Sequence, residues 1–446
     1  MMKYFGTDGF RGRANENLRV EHALKIGQFL GWYFGKKLGR KAACVIGKDT
    51  RRSSYMFEYG LSAGLTSTGA DAYLLHVTTT PSVSYVVRSE KFDFGIMITA
   101  SHNPYHDNGI KIIDSDGYKM DDSVLEEIEK YIDDEIEIPF SAENVGRCTD
   151  YFQGRNKYIS YLSQVPLHSL RGYKIGLDCA NGSAFTIAKT VFDMLGADTY
   201  VIGNSPDGTN INVDCGSTHI QALRDFVKEN HLDAGFAFDG DADRCFGVDE
   251  NGDLVDGDAI MYIGAGYLKE KNSLVDDTVV VTVMSNLGLF NALKELGIKT
   301  VITDVGDKYI SKEIQDHGYS IGGEQSGHII FDRYATTGDG ILTAIIMCNI
   351  LVEKKTVFSN LKRGLTILPQ KLKNLSVPDK DAVMKDEEIL AFAENLNKEL
   401  GEKGRLLLRK SGTEPLIRIM VEAATEEECD KYIGETETFI KNRIYK

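Results

Sequence analysis

The sequence predicts an α/β fold: three similar mixed α/β domains with largely parallel sheets, then a smaller C-terminal α+β domain. Three observations carry this. Strand-like and helix-like runs alternate from Ala42 onward, the pattern of parallel strands joined by covering helices. The alternation repeats, so that GADAYLL at 69–75 is echoed by GADTYVI at 196–202. Beyond about Gln370 the pattern gives way to a strand near Leu372–Val377, a charged helix from Asp386 to Leu400, strands at Arg405–Arg409 and Leu416–Glu422, and a helix from Thr425 to about Asn442.

At 446 residues, 42% hydrophobic and 26% charged, the chain is that of a globular protein too long for one core. The net charge of -15, with no basic stripe, argues against a nucleic-acid partner. No apolar run reaches the roughly 18 residues of a membrane span, and MMKYFGTDGFRG lacks the apolar centre of a signal peptide, so no membrane association is expected. Seven cysteines are scattered without a CxxC pair, which indicates neither a disulfide framework nor a zinc site and fits a reducing cytoplasm.

Each element follows from local pattern. After the opening loop GTDGFRG, a helix is predicted over Val20–Leu38 from its apolar spacing of three and four. Ala42 to Ile46 reads as a strand, Lys48 to Ser54 (KDTRRSS) as a polar loop, Tyr55 to Thr68 as a helix stopped by Gly69, and Ala70 to His76 as a strand. A helix over Pro81–Arg88 and the apolar strand Phe94–Thr99 lead into SHNP. The second copy runs from Lys174–Leu177 through DCANGS, a helix to Leu195, strand Thr199–Ile202, helix Thr218–Glu229 and strand Ala234–Phe238 into DGDADR. The third is fainter: Val279–Val283, SNLG, a helix to Leu296, strand Thr300–Thr303, helix Asp307–His317 and strand Tyr319–Gly322 entering GEQSGH. Three chemically distinct loops thus share one slot at the carboxyl end of a strand, where open α/β sheets bind ligands. A common cleft would bring them together. The expected domains are 1–152, 153–252, 253–368 and 369–446.

The loops carry the chemistry. Ser101 is held on a turn shaped by Asn103-Pro104 and Asn108-Gly109. Asp239, Asp241 and Asp243 place three carboxylates at alternate positions; they suit Mg²⁺, and they repel one another unless something neutralises them. An EF-hand would also use these positions with Glu250, but Arg244 stands where it needs glycine and the flanks AGFAF and FGV read as strands. The segment Asp114–Gly117 (DSDG) imitates the nucleophile motif of haloacid dehalogenase-type phosphatases, yet reads better as a hairpin turn. No P-loop is present. Glu324 and Ser326 are expected on one side of an extended segment, suited to paired sugar hydroxyls or an amine. RKSGTEP at 409–415, with Arg418 beyond it, has the makings of a phosphate cradle. Lys111, His102, His328 and Arg11 are candidates for proton transfer or phosphate orientation.

In order and spacing, GTDGFRG, TASHNP, DGDADR, GGEQSGH and RKSGTEP resemble the signature loops of the α-D-phosphohexomutase superfamily across essentially the whole chain. KYFGTDGFRG, VGDKY at 305–309 and Gln325 resemble the branch that acts on glucosamine phosphates. The resemblance implies four domains around a central cleft and an intramolecular phosphotransferase of the isomerase class. It implies Ser101 as the phosphoryl carrier and one Mg²⁺ held by Asp239, Asp241 and Asp243 with the phosphoserine oxygen. It assigns the sugar to Glu324 and Ser326; Lys111, His102 and Arg11 are expected as catalytic groups beside Ser101, and His328 and Arg244 as further substrate contacts. The phosphate that is not being transferred falls to Arg409, Ser411, Gly412 and Thr413, and the flanking Arg418 is expected to join them. A hexosamine phosphate is the implied substrate, with glucosamine 1,6-bisphosphate as intermediate and activator, and a homodimer is compatible with it. Ala242 departs from the glycine often found there. The alternatives are a mutase for glucose or mannose phosphates and a metal-dependent sugar phosphatase; Ser101 beside an intact aspartate trio argues against a sensor without chemistry.

Overall fold

Five buried residues in a row, Phe94–Ile98, form the middle strand of the first sheet in the computed structural model, which describes residues 2–411 and 415–444. A strand covered on both faces needs no polar alternation, which is why FGIMI reads as an apolar run. Ala43–Lys48, Asp71–Val77 and Cys148–Asp150 continue the sheet in parallel on one side. Asp107–Ile113, Gly9–Arg13 and Phe5–Gly6 extend it antiparallel on the other. The second sheet runs Leu254–Val255, Cys245–Asp249, Ala234–Phe238, Lys174–Asp178, Asp198–Ile202, and the third Lys299–Thr303, Thr278–Thr282, Ile321–Gly323, Ile329–Phe331.

The three sheets switch direction at the same place. In each, a strand that pairs in parallel on one side pairs antiparallel on the other with the strand that follows it: Phe94–Ile98 with Asp107–Ile113, Ala234–Phe238 with Cys245–Asp249, and Ile321–Gly323 with Ile329–Phe331. The connections at 99–106, 239–244 and 324–328 are shorter than the dozen or so residues that a parallel crossover requires, so the chain returns as a hairpin. The three signature loops are those connections.

The first helix spans Val20–Leu38, as its periodicity predicts, and ends at Gly39 in the left-handed conformation. It packs backbone to backbone on Arg52–Ser67: a Cβ on Gly27 would lie 2.4 Å from Leu61 O, and one on Gly64 2.2 Å from Leu24 O. Larger residues would push the helices apart and move the strand ends they cover.

One compact unit comprises 1–283 and 300–363, a second 284–299 and 364–446. In the second, an antiparallel sheet in the order Gln370–Ser376, Leu416–Glu422, Arg405–Lys410 is packed by Glu387–Leu400 and Glu426–Ile444. Ile417, Ile419 and Val421 alternate into the apolar core of this unit. Helix Leu287–Glu295 joins this unit through its Leu287 N–H, which donates to Glu422 Oε2 at 3.0 Å, and through Lys294, 2.9 Å from Glu402.

Candidate active site

Ser101 is 1% exposed and has a φ of 50°, a left-handed conformation that a non-glycine residue keeps only when its surroundings enforce it. The enforcement comes from Asp49 and Arg51, a fully buried ion pair with Nε to Oδ2 at 2.7 Å. The guanidinium donates to the carbonyls of Ser101 (2.8 Å), Asn103 (2.8 Å), Asp107 (3.1 Å) and Pro104. Asp49 accepts from Thr99 Oγ1 at 2.7 Å, and that hydroxyl accepts the Ser101 N–H at 3.0 Å. The polar run KDTRRSS is therefore the scaffold of the serine loop, which its composition did not reveal. The available signal was its position, at a strand end in an acidic chain, with two adjacent arginines.

The Ser101 hydroxyl donates to Asp239 Oδ2 at 2.5 Å, joining the first sheet's loop to the second's. Gly240 permits this approach, since a Cβ there would lie 2.5 Å from Ser101 O. Asp239, Asp241 and Asp243 are buried, with one carboxylate oxygen from each lying within 4.8 Å of the others. Burial and the two neighbouring aspartates push the Asp239 carboxyl well above its usual range. Lys111 offsets part of this crowding, with Nζ 2.9 Å from Asp241 Oδ2, 3.2 Å from Asp243 Oδ2 and 3.2 Å from Asp8 Oδ1. Burial opposes its charge, but the carboxylates win and hold the ammonium well above its ordinary value. Burial likewise opposes ionisation of Asp243, yet Lys111 and His328 keep that carboxyl below its usual range. Asp241 Oδ1 and Asp243 Oδ1 remain buried with no hydrogen-bond partner among the described residues. Crowded carboxylates with orphaned oxygens fit a hard divalent cation.

Around this centre the structure gathers most of the expected residues. Arg11, opposite Gly109 on the neighbouring strand, pairs with Asp8, and its buried Nε has no partner among the described residues. Burial works against the Asp8 charge, but Lys111, Lys119 and Arg11 hold the carboxyl well below its usual range. His102 Nδ1 lies 3.4 Å from Ser101 Oγ and 3.4 Å from Arg244 Nη1. Burial first, then Arg244 and Arg11, lower its pKa to about 4, so the ring is neutral at physiological pH. The Arg244 N–H donates to Asp239 Oδ1 at 3.2 Å, and its buried Nε is likewise without a partner among the described residues. His328 is buried; desolvation disfavours its charged form while Asp243 and Asp307 favour it. The Gly338 N–H donates to His328 Nε2 at 3.0 Å, so Nδ1 carries the proton, on the side of Asp243.

The third loop differs from its expected form. Residues 324–328 make a tight turn between antiparallel strands rather than an extended segment, closed by the Gly327 N–H to Glu324 O at 2.9 Å. A hairpin this short has no room for an extended stretch. Glu324 and Ser326 still meet, hydroxyl to Oε2 at 3.4 Å, and Glu324 Oε1 accepts the Gly306 N–H at 3.1 Å. VGDKY is thereby tied to the same loop.

In the C-terminal sheet Arg409 and Arg418 are directly opposed across two strands. Ser411 is buried, and its carbonyl accepts Lys380 Nζ at 2.6 Å, a neighbour the sequence reading missed. Gly412 and Thr413 lie outside the described residues. Asp114 accepts the N–H groups of Asp116 and Tyr118, both at 2.9 Å, and so caps a turn. DGDADR lies between strands, not helices.

Four models of phosphoglucomutase/phosphomannomutase domains match the chain in succession: alpha/beta/alpha domain I over 2–138, II over 156–252, III over 256–366 and the C-terminal domain over 372–437. A phosphoglucosamine mutase of Lachnospira eligens is 57% identical over 448 aligned residues covering 100% of both chains. One of Bacillus subtilis is 46% identical, covering 100% of this chain and 99% of that one. The crystal structure of a phosphoglucomutase/phosphomannomutase family protein from Burkholderia thailandensis shares the fold with a TM-score of 0.82 at 22% identity, covering 100% of this chain and 98% of that one. No helix among the described residues is long and apolar enough to cross a membrane. With all four domain models matched in order and close relatives aligned end to end, the chain belongs to the phosphoglucomutase/phosphomannomutase family, on its phosphoglucosamine mutase branch.

Proposed function

We propose that this enzyme interconverts glucosamine 6-phosphate and glucosamine 1-phosphate through a phosphoserine at Ser101 and a glucosamine 1,6-bisphosphate intermediate. The observation that carries the reading is the Ser101 hydroxyl on Asp239, held on an enforced turn against three crowded carboxylates. Asp239, Asp241 and Asp243 would hold Mg²⁺, which when bound neutralises charge on a phosphoryl group in transfer.

In the first transfer the bond between phosphorus and Ser101 Oγ breaks and a bond to the sugar O1 forms; the O1 proton leaves and Ser101 regains one. The bisphosphate turns over, and its 6-phosphoryl group returns to Ser101 by the reverse exchange at O6. Lys111 acts as a fixed cation that keeps the aspartates in place. The buried Nε groups of Arg11 and Arg244 offer donors for phosphoryl oxygens, and neutral His102 borders the serine without adding charge. Glu324 and Ser326 recognise the sugar, with His328 beside them. Arg409, Ser411, Gly412, Thr413 and Arg418 hold the phosphate that is not in transfer. These roles divide the chain at 152, 252 and 368 into phosphoserine, metal, sugar and phosphate domains. A reducing cytoplasm suits seven cysteines that are all free thiols.

The test compares kcat/KM of the Mg²⁺-loaded phosphoenzyme on glucosamine, glucose and mannose phosphates. A preference for glucosamine phosphate is expected. A preference for glucose or mannose overturns the substrate, and phosphate release without isomerisation overturns the mutase. Ser101→Ala should lower turnover by about 10³-fold or more while the protein still folds.

A further inference from the structure

Lys119 belongs to none of the five signature loops, yet its ammonium directs three contacts to oxygen: Thr7 O at 2.8 Å, Asp8 Oδ1 at 3.0 Å and Asp307 Oδ1 at 2.6 Å. An ammonium has three donors, so all are used. Thr7 and Asp8 fall in the segment matched by domain I, Asp307 in that matched by domain III. Asp8 is the carboxylate that also holds Arg11 and Lys111. Asp307 opens helix Asp307–His317 directly after Gly306, whose N–H holds Glu324. His328 lies alongside, with Nδ1 3.8 Å from Asp243, which in turn accepts from Lys111. Along the chain of ion pairs from Asp243 through Lys111, Asp8 and Lys119 to Asp307, the step from the serine's domain to the sugar loop's domain is Lys119 to Asp307, with the more exposed Lys308–Asp122 pair, 3.3 Å apart, beside it.

We infer that Lys119 is a positioning residue that fixes Glu324, through Asp307 and Gly306, in the frame of Ser101, Arg11 and Lys111. The inference rests on the mutase reading, in which one sugar must present two different oxygens to the same phosphoryl group. Displacement of a reacting group by about 1 Å costs ~10²-fold in rate. A mutase has a second exposure to such looseness: an intermediate not held for both transfers escapes as bisphosphate and leaves Ser101 without its phosphoryl group. A slackened sugar loop therefore shows in two ways, as a lower kcat and as a greater need for added bisphosphate.

The experiment uses full-length Lys119→Met, Lys119→Arg, Asp307→Asn and the Lys119→Met/Asp307→Asn double variant. It measures kcat and KM for glucosamine 6-phosphate, and the glucose 1,6-bisphosphate concentration giving half-maximal activation. Lys119→Met should lose about tenfold or more in kcat and need correspondingly more bisphosphate, and Lys119→Arg should recover part of both. The double variant should be no worse than the poorer single one, because both changes cut the same contact. A purely structural lysine would lower the melting temperature and leave both kinetic readouts within twofold of wild type; that result overturns the inference. A wild type that isomerises no hexose phosphate overturns the mutase reading instead.

Discussion

The two regions to which the proposed mechanism assigns phosphates arrange their charges differently. Around Ser101 the charges are matched within the fold: Lys111 faces three carboxylates, Asp8 faces three cations, and Arg51 is fully buried against Asp49 and four carbonyls. In the C-terminal sheet, Arg409 and Arg418 stand opposite one another across two strands, so that two like charges share one cross-strand position. The first plan suits a group that must stay in line for bond making. The second suits a grip that closes on a phosphate and lets it go.

The largest effect should come from cutting the matched side. Arg51→Met leaves a buried carboxylate unpaired and removes the donors to the serine loop's carbonyls, a loss of about 3–5 kcal/mol. Ser101 then loses the contacts that enforce its left-handed turn, and kcat should fall by ~10²-fold. Thermal melting and intact-mass measurement of serine phosphorylation check this; an Arg51→Met enzyme that is phosphorylated and active like wild type would remove Arg51 from the account.

On the other plan, Arg418→Gln should raise KM by about tenfold, the worth of one charged hydrogen bond to phosphate, with kcat within about twofold. Stability should change by no more than about 0.5 kcal/mol, because Arg418 is exposed. Added salt should raise the wild-type KM in the same direction by screening the exposed guanidinium. A fall in kcat at unchanged KM would mean that this loop takes part in the transfer.

A pH response separate from both regions comes from Asp339. Asp339 accepts from Tyr158 and from the Leu342 N–H, yet burial pushes its carboxyl up to about 6. The folded protein thus binds a proton more tightly than the unfolded chain does, so this group's stabilisation is complete below about pH 4 and is lost as pH rises to about 6. Its size is of order 2–3 kcal/mol. Urea melts of Asp339→Asn should lack this slope between pH 4 and 6, and a slope equal to wild type would place its origin elsewhere.

Much of this was legible in the sequence where one element reports on itself. Helix Val20–Leu38 announced both its ends, and the three loops declared their common slot because the incoming strand and the loop after it were each marked by local pattern. Loop lengths at 99–106, 239–244 and 324–328 also held the antiparallel return, since they are too short for a crossover. What local pattern could not convey is partnership across the chain. Arg51 reaches Ser101 over 50 positions and Lys119 reaches Asp307 over 188, and periodicity says only that a face is buried, not what meets it. Nothing local in the sequence therefore marks Lys119.

Ala242 offers the smallest test. It sits between two of the aspartates, buried, with a φ of 56°. A left-handed alanine costs about 1–2 kcal/mol, which glycine would avoid. Glycine would also free the unfolded chain, worth ~0.4–1 kcal/mol, and remove a buried methyl worth about 0.8 kcal/mol. These contributions nearly cancel, so Ala242→Gly should shift stability by less than about 1 kcal/mol and leave turnover within twofold. Gly240, two positions earlier, has no such freedom, because a methyl there would collide with Ser101 O at 2.5 Å. The turn, not the methyl, then shapes the carboxylate trio. A tenfold loss of Mg²⁺ affinity in Ala242→Gly would reverse that assignment and make the methyl part of the site's rigidity.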